Sequence, residues 1–194
     1  MRSPLGYQVT EYDCVPTTFI NAIRYLFKRD EIPPEVVKSI YMYSLDTFNR
    51  RGKSGKKGTS FYAVQYICNW LNQYSQGNDF CIYCELLESH HINFRKNSRI
   101  IECLNEGGVA VTRVYFTGSL YHYVLITEVD DEFVYVFDPC YREKDFKEDD
   151  IEIVLDKPFK YNRKIKRTWF DSTEEKKYAM SENQERECVL VYRT

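Results

Sequence analysis

The apolar residues of this chain change their spacing near Gly77, and that change limits the folds open to it. Before it, they recur at intervals of three and four, the period of one helical face. Phe19, Ile20, Ile23, Leu26 and Phe27 form such a face over 14–29, and Pro16, tolerated only in a first turn, sets the start close to Cys14. The Pro33-Pro34 pair opens a second helix over 35–45, with Val36, Val37, Ile40 and Tyr41 on one side. Thr59 or Ser60 caps a third that runs to about Tyr74, with Phe61, Val64, Ile67, Cys68 and Leu71 inward. After Gly77 come strand-length runs rich in β-branched and aromatic residues, at 80–87, 109–116, 121–129, 133–138, 151–155 and 188–193. One short helix over 98–105 interrupts them and stops at Gly107-Gly108, and 117–119 reads as a turn. Helices first and a mostly antiparallel sheet after them predict an α+β chain. We expect one domain over 1–194, with a helical lobe (about 1–77) packed on a β-rich lobe (about 78–194).

Charge and composition exclude several classes of function. With 27 Lys and Arg against 29 Asp and Glu, the formal net charge is -2, so no global field favours nucleic acid or an anionic membrane. No apolar run approaches the ~20 residues of a membrane span. Met1-Arg2-Ser3-Pro4-Leu5 carries no apolar signal core, so a cytoplasmic location is expected, with the seven cysteines as reduced thiols. The basic stretches 50–57 and 157–167, the latter with Phe159 and Tyr161, read as solvated surface, and the acidic run 143–152 as a partner for the second of them.

Two motifs imitate known sites. Cys81 and Cys84 with His90 and His91 look like half of a zinc site, but positions three apart on a strand face opposite ways. Core cysteines are expected there, with no metal and no cofactor. Gly52-Lys53-Ser54 looks like the end of a phosphate loop, but Thr47 stands where its first glycine belongs and no strand precedes it.

The chemistry-bearing stretch begins at Tyr7 and runs through Gln8 and Asp13 to Cys14 and Pro16. A cysteine at a helix start meets backbone amides and the positive end of the dipole, which favour thiolate over thiol. A thiolate also needs a base to shuttle its proton and donors for an oxyanion. Among three histidines, His122 opens an apolar strand, where an ionisable side chain calls for a partner. Strand parity supplies one. His122, Val124 and Ile126 share a face, as do Val134, Val136 and Asp138 on the next strand. A three-residue loop at 130–132, pairing Val129 with Phe133, joins those faces and makes Asp138 a diagonal neighbour of His122. Pro139 cannot donate to a ladder, so the strand should end at Asp138, on the rim of the sheet.

Gln8, then Cys14 heading a helix, a His122-Tyr123-Val124 strand and a Val136-Phe137-Asp138-Pro139 strand end together resemble papain-like cysteine peptidases. The similarity is closest to the bacterial branch typified by the double-glycine leader peptidases of bacteriocin exporters, and Lys57-Gly58-Thr59-Ser60 leading into a helix resembles that branch too. The resemblance implies a papain-like fold, a peptide or protein substrate (a leader peptide being one form), Cys14 as nucleophile, His122 as base, Asp138 as its orienter and Gln8 as oxyanion donor. Where that family usually has Gly after the cysteine, this chain has Val15. No exporter membrane domain follows in the sequence, so a stand-alone member is expected. The same residues would also serve an acyltransferase or transpeptidase, and the fold could act as a peptide-binding module without turnover.

Overall fold

The computed structural model describes residues 1–118 and 120–194. The first helix, α1 (Cys14–Leu26), is shorter than the apolar pattern predicts, because Phe27 turns extended (φ -117°, ψ 154°) and packs its ring on Phe80, centroids 4.4 Å apart. A 3-10 turn at Arg29–Glu31 leads to α2 (Pro34–Tyr43). Ser60 is the cap of α3 (Phe61–Gly77), its Oγ accepting from Ala63 N at 3.2 Å, whereas the Thr59 hydroxyl accepts from Leu45 N.

The remaining elements are β1 (Ile82–Glu88), α4 (Arg99–Asn105), β2 (Val109–Thr117), β3 (Leu120–Val129), β4 (Phe133–Phe137), β5 (Ile151–Ile153), β6 (Arg163–Lys166), α5 (Arg167–Phe170) and β7 (Glu187–Arg193). Every strand pair is antiparallel, in the order β1-β7-β2-β3-β4-β6-β5, so the chain is α+β. The turn expected at 117–119 includes Ser119, which lies outside the described residues. Gly107, at φ 84°, ends α4 with Gly108, whose amide reaches Cys103 O at 2.9 Å. Among the described residues, no helix is long and apolar enough to cross a membrane.

Side chains alternate between two buried layers. On one face Val109, Val111, Leu125, Phe137, Val189 and Val191 pack against α1, α2 and α3 through Phe19, Ile23, Ile40, Ile67 and Leu71. On the other, Ala110, Val114, Val124, Ile126, Val134 and Val136 meet Ile100 and Cys103 of α4 and then Phe170, Tyr178 and Met180. Cys84 is a core cysteine as expected, but Cys81, which stands just before β1, is exposed, so the expectation of a core cysteine fails there.

Two further expectations need correction. Segment 157–167 is not all solvated surface: its second half forms β6, and Arg163 is only 1% exposed. Lys164 and Lys166 do pair with the acidic run, at 3.4 Å to Glu152 and 3.2 Å to Asp150. The β3–β4 hairpin also closes differently. Val129 pairs with Val134 rather than Phe133, and Asp130 N donates to Phe133 O at 3.0 Å, which leaves a loop of even length. Such a loop alone would send His122 and Asp138 to opposite faces. A bulge at Thr127, between the Ile126–Val136 and Glu128–Tyr135 pairs, inserts one residue and restores the parity.

Candidate active site

Three short segments meet at one end of the sheet. The first is the loop before α1. Asp13, nearly buried, accepts from Val9 N (3.0 Å), Thr10 N (2.8 Å) and the Thr10 hydroxyl (2.7 Å), which folds 8–13 into a tight turn ahead of Cys14. Burial works to raise the Asp13 carboxyl, but those hydrogen bonds outweigh it and hold the group below its usual range. The turn is anchored at both ends: Gly6 exchanges two hydrogen bonds with the buried Asn21 amide of α1, and Gln8 N donates to Pro139 O at 2.8 Å. Asp13 is spent on the turn, so α1 starts without a side-chain cap. Val15 is 1% exposed within the helical-face core and has no positive φ, so the position makes no demand for glycine.

The second segment is β3. Thr18, one turn after Cys14, donates to Tyr123 O at 3.1 Å and fixes the start of α1 beside the strand residue that follows His122. His122 itself is 5% exposed, with the Phe116 ring 5.3 Å away. Its Nε2 lies 2.7 Å from Asp138 Oδ1, and Cys14 is close enough to act on the ring's charge, although no hydrogen bond joins the two. Burial disfavours a charged ring. The Asp138 charge and hydrogen bond, with a smaller contribution from Cys14, overcome that and hold the imidazolium well above its ordinary range.

The third segment is the end of β4. Asp138 lies just past Phe137 and is fully buried (0% exposed) rather than open on a sheet rim. Its Oδ1 also accepts from Cys140 N at 2.7 Å, and its Oδ2 accepts from the Tyr178 hydroxyl. Its backbone is held on both sides by Asn162, which accepts from Asp138 N at 2.7 Å and donates to Asp138 O at 2.8 Å. Burial alone would raise this carboxyl. The His122 charge, hydrogen bonds from His122 and Tyr178, and the Arg163 charge keep it lowered and ionised.

Asn162, Arg163 and Tyr178 are the functional neighbours that the sequence did not reveal. They come from a segment rich in charge, and nothing local marks Tyr178, which takes φ 65° without being glycine. The alternation of Arg163 and Ile165 with Lys164 and Lys166 is the one signal of a half-buried strand there. Gln8 sits at the edge of the group: its Nε2 donates to Thr10 O at 2.7 Å, its second N–H is free of that bond, and its Oε1 is buried without a partner. All seven cysteines are unpaired, but they differ sharply. Burial pushes Cys103 up to about 11 and Cys188 up to about 12, while Cys14 is half-exposed.

A groove between α2 and α3, lined by Met42, Tyr43, Tyr62 and Tyr66, carries Asp46 with Ser44 and Ser54 but no histidine or cysteine. The sheet end is the candidate site, because it brings a thiol, an imidazole and a buried carboxylate into one neighbourhood. No protein-family model and no curated protein matches the chain.

Proposed function

We propose that this protein is a cysteine peptidase or amide hydrolase of papain-like architecture, acting on a peptide or protein substrate. The observation that carries the proposal is the buried His122, bonded at 2.7 Å to an ionised Asp138, with the partly exposed Cys14 near enough to act on its charge. A nucleophile, a base within its reach and a third group orienting that base are what acyl transfer at neutral pH requires.

In this mechanism the Cys14 proton already rests on His122 Nδ1, in the imidazolium, and the sulfur attacks the substrate carbonyl carbon. The oxyanion lies against Cys14 N, at the uncapped start of α1, and the free N–H of Gln8 Nε2. The imidazolium gives its proton to the leaving amine as the C–N bond breaks, leaving a thioester on Cys14. Water, deprotonated by His122, then releases the acid and restores the thiol. Asp138 stays ionised throughout and fixes the ring.

The test is alkylation by iodoacetamide or an E-64-type epoxide, read by mass spectrometry in a Cys81→Ser background that removes the exposed thiol. We expect fast stoichiometric labelling that Cys14→Ala abolishes and His122→Gln slows on the order of 100-fold or more. Labelling that survives Cys14→Ala undiminished would refute the proposal.

A further inference from the structure

Asp138 has more to do than hold one imidazole. It is fully buried, and its two oxygens divide their partners: Oδ1 serves His122 Nε2 and Cys140 N, whereas Oδ2 serves the Tyr178 hydroxyl alone. That hydroxyl has a second neighbour, Arg163 Nε at 3.4 Å, and the Arg163 side chain is locked by Asn162 O (2.8 Å) and Cys140 O (3.1 Å). A continuous hydrogen-bonded line therefore runs from Arg163 through Tyr178 and Asp138 to His122. The fold goes to some length to complete it. Tyr178 is 2% exposed at φ 65°, a conformation that L side chains rarely adopt, and backbone bonds between Tyr178 N and Tyr115 O (2.9 Å) and between Tyr115 N and Ala179 O (2.8 Å) hold it there.

The geometry points to Tyr178 as a positioning residue of this site, one that shares the Asp138 charge between His122 and the buried Arg163 through its hydroxyl. This rests on the cysteine hydrolase reading for its purpose, though not for its measurement. A carboxylate serving only the imidazole would hold the ring's proton too firmly for the leaving amine to take it. A carboxylate that also accepts from Tyr178 holds it less firmly. Oδ1 keeps its Cys140 bond and the backbone keeps Asn162, so removing the hydroxyl changes charge distribution more than placement.

The charged and titratable groups facing the pair are Cys14 from α1, Cys140 after β4, Arg163 from β6 and Tyr178, while Lys177 acts on Cys140. Lys177 stands over the Phe116 ring at 4.4 Å. Tyr123 points to the helical face, where it donates to Glu187.

The experiment is an NMR titration of the histidine side chains in the full chain, with His122 assigned by His122→Gln. Tyr178→Phe should move the His122 midpoint upward by on the order of one pH unit. Placing 3-fluorotyrosine at 178, isosteric with a more acidic hydroxyl, should move it downward, and this holds even if Tyr178→Phe folds poorly. Phe146→Leu removes packing from the Tyr178 ring (centroids 5.6 Å apart) and a 5.9 Å contact with the Arg163 guanidinium but leaves the hydroxyl, so it should lower thermal stability and move the midpoint far less than Tyr178→Phe. The inference is overturned if the fluorinated protein titrates with the wild type, or if Phe146→Leu shifts His122 as far as Tyr178→Phe. Failure of the hydrolase reading would show separately, as a wild-type Cys14 that does not react.

Discussion

The two faces of the sheet are covered by different kinds of chain. One carries three helices, α1 to α3, whose backbone groups bond within themselves, so their inward residues are largely apolar, with Thr18 and Asn21 as buried exceptions. The other carries α4 and then long irregular stretches whose backbone groups need partners from elsewhere. Buried polar side chains provide them. Arg186, 3% exposed, donates to Ser181 O, Ile92 O, Asp171 O and Asp171 Oδ1, and Asn162 and Arg163 do the same around Asp138. The helical face thus supplies position, placing Cys14 at the start of α1, while the irregular face supplies buried charge. An imidazole–carboxylate pair can stay ionised at full burial only beside the second kind of cover.

The largest effect should come from removing that charge. Arg163→Met keeps most of the volume but leaves the Tyr178 hydroxyl, Asn162 O and Cys140 O without their shared donor and Asp138 without the charge that helps keep it ionised. Breaking a buried charged network costs about 3–5 kcal/mol, or roughly 10 °C in melting temperature at this chain length. Thermal denaturation should show this loss together with slower Cys14 alkylation. Ile23→Ala on the helical face, at about 2–5 kcal/mol, should cost comparable stability and leave the alkylation rate of folded protein intact. If both variants slow alkylation equally, the division of labour between the faces is wrong.

The pH dependence sharpens the same contrast. His122 binds its proton more tightly folded than unfolded, so its contribution is complete below its ordinary value of 6.5 and is lost as pH rises through the raised one. Asp138 binds its proton less tightly folded, so its contribution is complete above 3.8 and is lost as pH falls through the lowered one. Melting temperature against pH should form a plateau between these limits. His122→Gln should remove the alkaline descent, whereas helical-face variants should shift the whole curve down with its shape unchanged. A wild-type curve that stays flat well above neutral pH would mean that the pair is not ionised.

How much of this was legible follows the same division. Helix starts, apolar faces and strand runs repeat within a few residues, so α1 to α4 and β1 to β4 could be read to within a few positions of their ends. His122 and Asp138 could be paired by parity, but the route differs. Their shared face depends on the Thr127 bulge, which compensates the even turn and leaves no mark in a continuous apolar run. Gln8 gained its role only from resemblance, because an amide bonded to a carbonyl two residues away has no periodicity to betray it. Arg163 and Tyr178 were illegible for a stronger reason. Their burial is decided by Asp138, 24 or more positions distant, and a charged residue among charged residues reads as solvated. Segments whose contacts are local can be read from the chain; those whose partners are remote and polar cannot.

The smallest effect concerns Val15, where the resembled peptidases usually carry glycine. Val15 packs in the helical-face core and its φ is not positive. Val15→Gly should therefore cost the burial of one side chain, about 1.5–3 kcal/mol, plus a few tenths for glycine near a helix end. Nothing at the site should be gained in return, since the thiol is held by the backbone of α1 and by Thr18 on Tyr123 O. We expect melting to fall by roughly 5 °C, with the Cys14 alkylation rate per folded molecule unchanged. The comparison matters because α1 is assigned only the placing of the nucleophile. A several-fold rise in alkylation or turnover with Val15→Gly would mean that the valine restrains the thiol or its access, and that this face regulates the chemistry as well as positioning it.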